Sequence, residues 1–152
     1  MNRVLPFAFV VALIASCAAQ EDPLVKLRQF ADKSNGGDCA RYSVAYAQLL
    51  AEVGNKQYAE GKVDEAEKLI RQLGQYAERG AQCSIESHKR EKDTEIKLRE
   101  LSRRLSEVEK TMSFEDRALI REQTYNIDRL REKLLTNMFG GKTAEAFKTT
   151  KR

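Results

Sequence analysis

The sequence predicts an all-α protein made of two antiparallel helical hairpins, and three observations lead there. Apolar residues recur at helical spacing on both sides of Gly61. Cys39 and Cys83 stand 22 residues before and after that glycine. Beyond Cys83, acidic and basic residues pair at the four-residue spacing that supports a helix. The two hairpins are expected to share a long central helix over about 63–111, with a short N-terminal helix ahead of it and disordered termini.

Residues 1–19 form a secretory signal peptide: Arg3 is a lone positive charge, Val4 to Ile14 is apolar, and Ala15 to Ala19 is small. The apolar run is shorter than the roughly 20 residues a bilayer needs, and polar Gln20-Glu21-Asp22 follows at once. Two cleavage routes fit. Cys17-Ala18-Ala19 before Gln20 suits ordinary signal peptidase, whereas Ile14-Ala15-Ser16-Cys17 resembles a bacterial lipobox, in which Cys17 would carry lipid. Either route exports the chain to the periplasm or beyond, with a lipid at Cys17 as its one membrane attachment.

Residues 20–141 are expected to form a single helical domain and 142–152 a disordered basic tail. The charge agrees with that division. Removing Arg3 leaves 26 basic residues against 23 acidic ones; setting aside Lys142, Lys148, Lys151, Arg152 and Glu145 leaves 22 of each. A neutral body argues against nucleic acid, whose binders carry their positive charge on the folded surface.

The first helix begins with Asp22 as cap and Pro23 in its first turn, and Leu24, Leu27, Phe30 and Ala31 make its apolar face. Ser34-Asn35-Gly36-Gly37 ends it, and Asp38 can cap the next helix. Tyr42, Tyr46, Leu49, Leu50 and Val53 then precede Gly61, and Val63, Ala66, Leu69, Ile70, Leu73, Tyr76 and Ala77 follow it. Two helices of equal length joined at Gly61 run antiparallel, which brings Cys39 and Cys83 to one level as a disulfide. Export leaves these two as the cysteine pair in an oxidising compartment. Two cysteines 44 residues apart and a single histidine do not assemble a tetrahedral metal site.

Leu50, Val53, Gly54, Tyr58, Gly61, Ala66 and Ile70, with the run Ala59 to Ala66, resemble one degenerate tetratricopeptide repeat over about residues 48–81. Gln57 stands where that family usually has an aromatic, and no second copy follows. The resemblance implies a helix pair that binds a peptide or partner protein. A single unit needs other helices, or another protein, to cover it.

After Cys83, the pairs Glu86–Arg90, Asp93–Lys97, Glu95–Arg99 and Glu100–Arg104 read as a solvated helix face. Gly80 is tolerable inside a helix, so one helix over 63–111 is favoured, about 73 Å long; a break at Gly80 and a compact four-helix bundle is the alternative. Leu98, Leu101, Leu105, Val108 and Met112 form a coiled-coil-like seam. Ser113 caps the last helix, with Asp116 answering as in a capping box, and Gly140-Gly141 stops it. Leu119, Ile120, Ile127, Leu130, Leu134 and Met138 line that helix. A two-helix arm has no further layer to cover Ile96, Phe114, Leu119 or Met138. The expected interaction face is therefore Ile96, Leu98, Leu101, Leu105, Val108, Leu119, Ile127, Leu130 and Leu134, meeting a protein partner or a second copy.

No catalytic, cofactor or metal residues are expected. His88 sits among charged residues, and Gly140-Gly141-Lys142-Thr143 lacks the strand and first glycine of a phosphate loop. The sequence-based expectation is an exported, non-catalytic interaction or scaffold protein of the bacterial envelope. The alternative is a small chaperone-like or envelope stress protein: Ser113 to Arg117 is loosely similar to the start seen in the LTxxQ class of helical-hairpin envelope proteins, although that motif is absent.

Overall fold

A computed structural model describes residues 22–149, with side chains described through Gly140. The expected signal peptide, with its expected cleavage sites and Cys17, lies outside the described residues. Five helices follow in order: α1 (Pro23–Lys33), α2 (Gly36–Ala59), α3 (Val63–Ser87), α4 (Glu91–Thr111) and α5 (Arg117–Thr149). Among the described residues there is no strand.

Local chemistry explains most of the boundaries. The Asp22 carboxylate accepts from the Leu24 N–H at 3.0 Å, and Pro23 sits where its missing N–H costs nothing. Gly61, at φ +76°, makes the turn between α2 and α3 that a side chain would resist. The two helices return antiparallel, and the Cys39–Cys83 disulfide closes their open end with the Cα atoms 5.9 Å apart. Gly80 lies inside α3 beside this staple. A Cβ there would meet Val44 Cγ2 at 2.5 Å and the Ala40 carbonyl at 3.3 Å, so the glycine sets how closely the backbones approach. Gly54 does the same against Ile70, and Ala66, from the tetratricopeptide-like stretch, is fully buried.

The long central helix does not form. α3 ends at Ser87, and α4 starts at Glu91 after His88 (φ 53°) and Arg90 (φ 60°) both enter the left-handed region. The break is at 88–90 and not at Gly80. Two non-glycine residues there cost about 1–2 kcal/mol each. Burial of Leu98, Leu101, Leu105, Ile120, Ile127 and Leu134 against the rest of the chain contributes about 1.5–3 kcal/mol per side chain and outweighs that cost. Ser84, fully buried, donates to the Lys89 carbonyl at 2.8 Å and ties the turn back to α3.

The result has three layers. α2–α3 is the middle one, with α1 on one side and α4–α5 on the other. Tyr76 donates to Asp32 at 2.6 Å, and Arg79 donates to the last carbonyls of α1, fastening α1 to α3. α5 lies beside α3, and Arg104 of α4 pairs with Glu52 of α2 where the sequence pairs it with Glu100.

Three boundaries are corrected. Ser113 donates to the Asp116 carboxylate at 2.7 Å, a bond between side chains in place of the reciprocal backbone bonds of a capping box, and α5 begins only at Arg117. Asp38 falls in the first turn of α2 and not at its cap, which is Asn35. α5 also runs through Gly140-Gly141 to Thr149, so the glycine pair does not stop it; the side chains of the basic tail lie outside the described residues.

Candidate functional site

The expected interaction face is largely the inside of the molecule. Leu98, Leu101, Leu105, Ile127 and Leu134 are fully buried, Leu119 is buried, and Val108 and Leu130 pack against the same core. The physical reason is the turn at 88–90, which lays α4–α5 on α2–α3 and supplies the layer that an isolated arm lacks. Ile96 alone of that set stays exposed, on the rim of a recess of about 240 Å³ between α2 and α4. The apolar argument for a dimer through this arm is thereby removed. Phe114, 86% exposed, stands alone in the α4–α5 turn, and Met138 is half-buried.

What remains open is the seam between α3 and α5. Arg71, Gln75 and Glu78 recur at four and three residues along α3 and form one wall. Asn126, Arg129 and Lys133 form the other, on α5. Gln123, Gly74, Ile127 and Leu130 make the floor of a groove of about 450 Å³. It continues past Arg129 and Lys133 into a shallower trough of about 830 Å³, which Ile85, Thr136, Asn137 and Gly140 line.

The floor has an uncommon construction. Gln123 is only 8% exposed, and its amide oxygen lies against Gly74, where any Cβ would collide with it. The glycine therefore makes a slot for the glutamine. Among the described residues the Gln123 amide has no hydrogen-bond partner, and its polar atoms stay within reach of solvent from the groove. Arg129 and Lys133 are exposed and have no ion-pair partner among the described residues; Arg71 has a loose one, Glu67 at 3.7 Å.

The other polar cluster is structural. Glu95, 5% exposed, accepts from Arg99 at 2.6 Å and from Arg131 at 3.0 Å. Arg131 also holds Asp128, which accepts from Ser102 at 2.8 Å. Burial pushes the Glu95 carboxyl up, but the two guanidinium groups prevail and hold it below the usual carboxylate range. Glu95, expected on a solvated face with Arg99, is thus buried, and through Arg131 it clamps α4 to α5 while Arg99 stays exposed. His88 is exposed, with Nδ1 3.4 Å from Glu91 and near Asn137. The Tyr58 hydroxyl is buried without a partner, and burial raises its pKa.

Neither wall of the α3–α5 groove presents a nucleophile beside a base. Its polar lining mixes amides (Gln75, Gln123, Asn126), cations (Arg71, Arg129, Lys133) and the carboxylate of Glu78, with Glu132 in the adjoining trough. Among the described residues no group of three His, Cys, Asp or Glu side chains is placed to hold a metal ion. No known protein family, curated protein or solved structure matches the chain.

Proposed function

We propose that this chain is an exported, non-catalytic interaction protein of the bacterial envelope that holds a protein partner along its helices. The observation that carries the reading is the α3–α5 groove, a polar surface trough whose floor holds the Gln123 amide without a hydrogen bond to the described residues. An amide that faces the groove offers two donors and an acceptor to a partner's polar atoms. The leader-like residues 1–19 and the Cys39–Cys83 disulfide support an oxidising destination. Exposed apolar side chains are scattered over α1 (Val25, Phe30), the α4–α5 turn (Phe114) and α5 (Tyr125, Phe139). That dispersal favours docking of a defined partner over a chaperone-like cradle.

The test is a photo-crosslinking residue at Gln75, on the groove wall, in the chain expressed with its own leader. Adducts of discrete mass should appear in the exported fraction, with Cys39 and Cys83 resistant to alkylation. A cytoplasmic protein with two free thiols, or an absence of adducts from Gln75, would sink the proposal.

A further inference from the structure

We infer that the chain exchanges its second hairpin with a second copy of itself. The turn at 88–90 opens, α3 and α4 join into one helix from Val63 to Thr111, and α4–α5 of each copy packs on α2–α3 of the other. The exchange goes beyond the partner-binding reading above and does not depend on what the groove holds.

The hinge comes first. His88-Lys89-Arg90 alone separates α3 from α4, and neither a glycine nor a proline stands among the three. His88 and Arg90 nonetheless sit in the left-handed region, which disfavours the closed turn against a helix by about five- to thirtyfold per residue. Opened into a helix, the same stretch gains Glu86–Arg90 and Lys89–Asp93 at four-residue spacing. The closed turn gives Arg90 only a loose pair with Asp93, at 3.9 Å. What else holds it closed is small: Ser84 donates to the Lys89 carbonyl, and Gly37 packs against the side chains of Lys89 and Arg90. A short, strained connection between two packed units is the arrangement that favours exchange.

Each unit can stay folded while the other leaves. The Cys39–Cys83 disulfide closes α2–α3 ahead of the hinge, and Tyr76 keeps α1 on that hairpin through Asp32. α4 and α5 hold each other through Glu109–Arg121, Glu95–Arg131 and Ser102–Asp128, ties that lie wholly inside the travelling unit. The contacts given up are those between the hairpins, among them the Glu52–Arg104 pair and the seat of Gln123 against Gly74. The occupant follows from that list. A second copy offers each of these contacts again, because its α2–α3 is the same surface. No exposed apolar face is needed, since every apolar residue of the seam is covered before and after. In the exchanged dimer α3 of one copy and α5 of the other line each groove, so both grooves are built from two chains.

The experiment refolds the purified, disulfide-bonded protein from urea over a series of concentrations and reads its mass by size exclusion with light scattering. Dilute refolding should give monomer, and concentrated refolding a discrete dimer. The double variant His88→Gly, Arg90→Gly relieves the closed turn and weakens the open helix. It should lower the dimerisation constant by about a hundredfold or more. His88→Ala, Arg90→Ala should raise it about tenfold, because alanine favours the helix and keeps the Cβ that burdens the left-handed turn. Connectivity separates exchange from ordinary association. Copies carrying Glu52→Cys are refolded together with copies carrying Arg104→Cys and treated with a short bis-maleimide. A link between positions 52 and 104 forms only where α2 of one copy meets α4 of the other. Both positions are exposed, so these variants should fold, as circular dichroism would verify. Monomer at every concentration in the parent overturns the inference. So does a dimer without the link between positions 52 and 104, and so does a glycine variant that dimerises as the parent does.

Discussion

The two hairpins are built from helices of comparable length, yet they hold together by different means. α2–α3 is closed by small residues: Ala40, Ala47, Ala51, Gly54, Ala66, Ala77, Gly80 and Ala81 are buried, and the glycines let the backbones touch side chains across the seam. Helices that approach this closely leave little room for polar groups, and the covalent link sits at the same end as Gly80. α4–α5 meets through leucines and isoleucines, and separation between helix axes follows the side chains at the contact. That seam keeps a polar ladder instead: Glu109–Arg121, Ser102–Asp128–Arg131–Glu95 and Glu91–Asn137. The first hairpin is held by close packing and a disulfide; the second depends on charge and on the first hairpin to cover it.

The largest effect should come from cutting the staple. The double variant Cys39→Ser, Cys83→Ser opens a loop of about 45 residues and should lose up to about 4 kcal/mol of stability on the chain-entropy account. Its circular dichroism should stay helical, because the apolar stripes remain. Urea unfolding of the variant against the oxidised parent measures this. A loss below about 1 kcal/mol would mean that close packing alone holds α2 to α3, and the proposed contrast would fail at its first half.

The second half is tested at Glu95. Glu95→Gln keeps the shape but leaves Arg99 and Arg131 without their carboxylate, and it should cost about 1.5–3 kcal/mol at neutral pH. Because the folded carboxyl lies below its ordinary range, its contribution is present above the unfolded value of about 4.3 and is lost as pH falls through the folded one. The gap between parent and variant should therefore shrink between pH 5 and pH 3. A gap of the same size at both pH values would show that Glu95 acts through packing and not through charge.

The same contrast governs what could be read from the sequence. The first hairpin was legible because its determinants are local or symmetric: a glycine turn, and two cysteines equidistant from it. The seam of the second hairpin was legible as apolar positions, but its covering was not. Nothing at His88-Lys89-Arg90 is a glycine, proline or cap residue, so the turn there comes from tertiary burial overriding helix preference. Glu95 reads as one of four surface pairs by spacing; its burial follows only once α5 brings Arg131 across. The groove had a faint signal. Gln123 interrupts the apolar positions Ile120, Ile127, Leu130 and Leu134, and a polar residue on an apolar stripe asks for a partner. Its slot at Gly74 lies 49 residues away, and helical periodicity within either helix cannot join the two.

The smallest predicted effect decides the architecture by its sign. If residues 63–111 were one helix, glycine at position 88 or 90 would destabilise it by about 1 kcal/mol, the usual cost inside a helix. In the folded-back form both positions are left-handed, where a Cβ is itself the burden and glycine is at ease. His88→Gly and Arg90→Gly should then each stabilise the protein, by about 0.5–1 kcal/mol after allowing for the greater freedom glycine gives the unfolded chain. Both side chains are exposed, and the contacts to lose are His88 with Glu91 at 3.4 Å and Asn137 at 3.5 Å and the Arg90–Asp93 pair at 3.9 Å, so little offsets the gain. Thermal unfolding of the two single variants reads the sign directly. A lower melting temperature in both would restore the continuous helix, uncover the α4–α5 seam and take the α3–α5 groove apart with it.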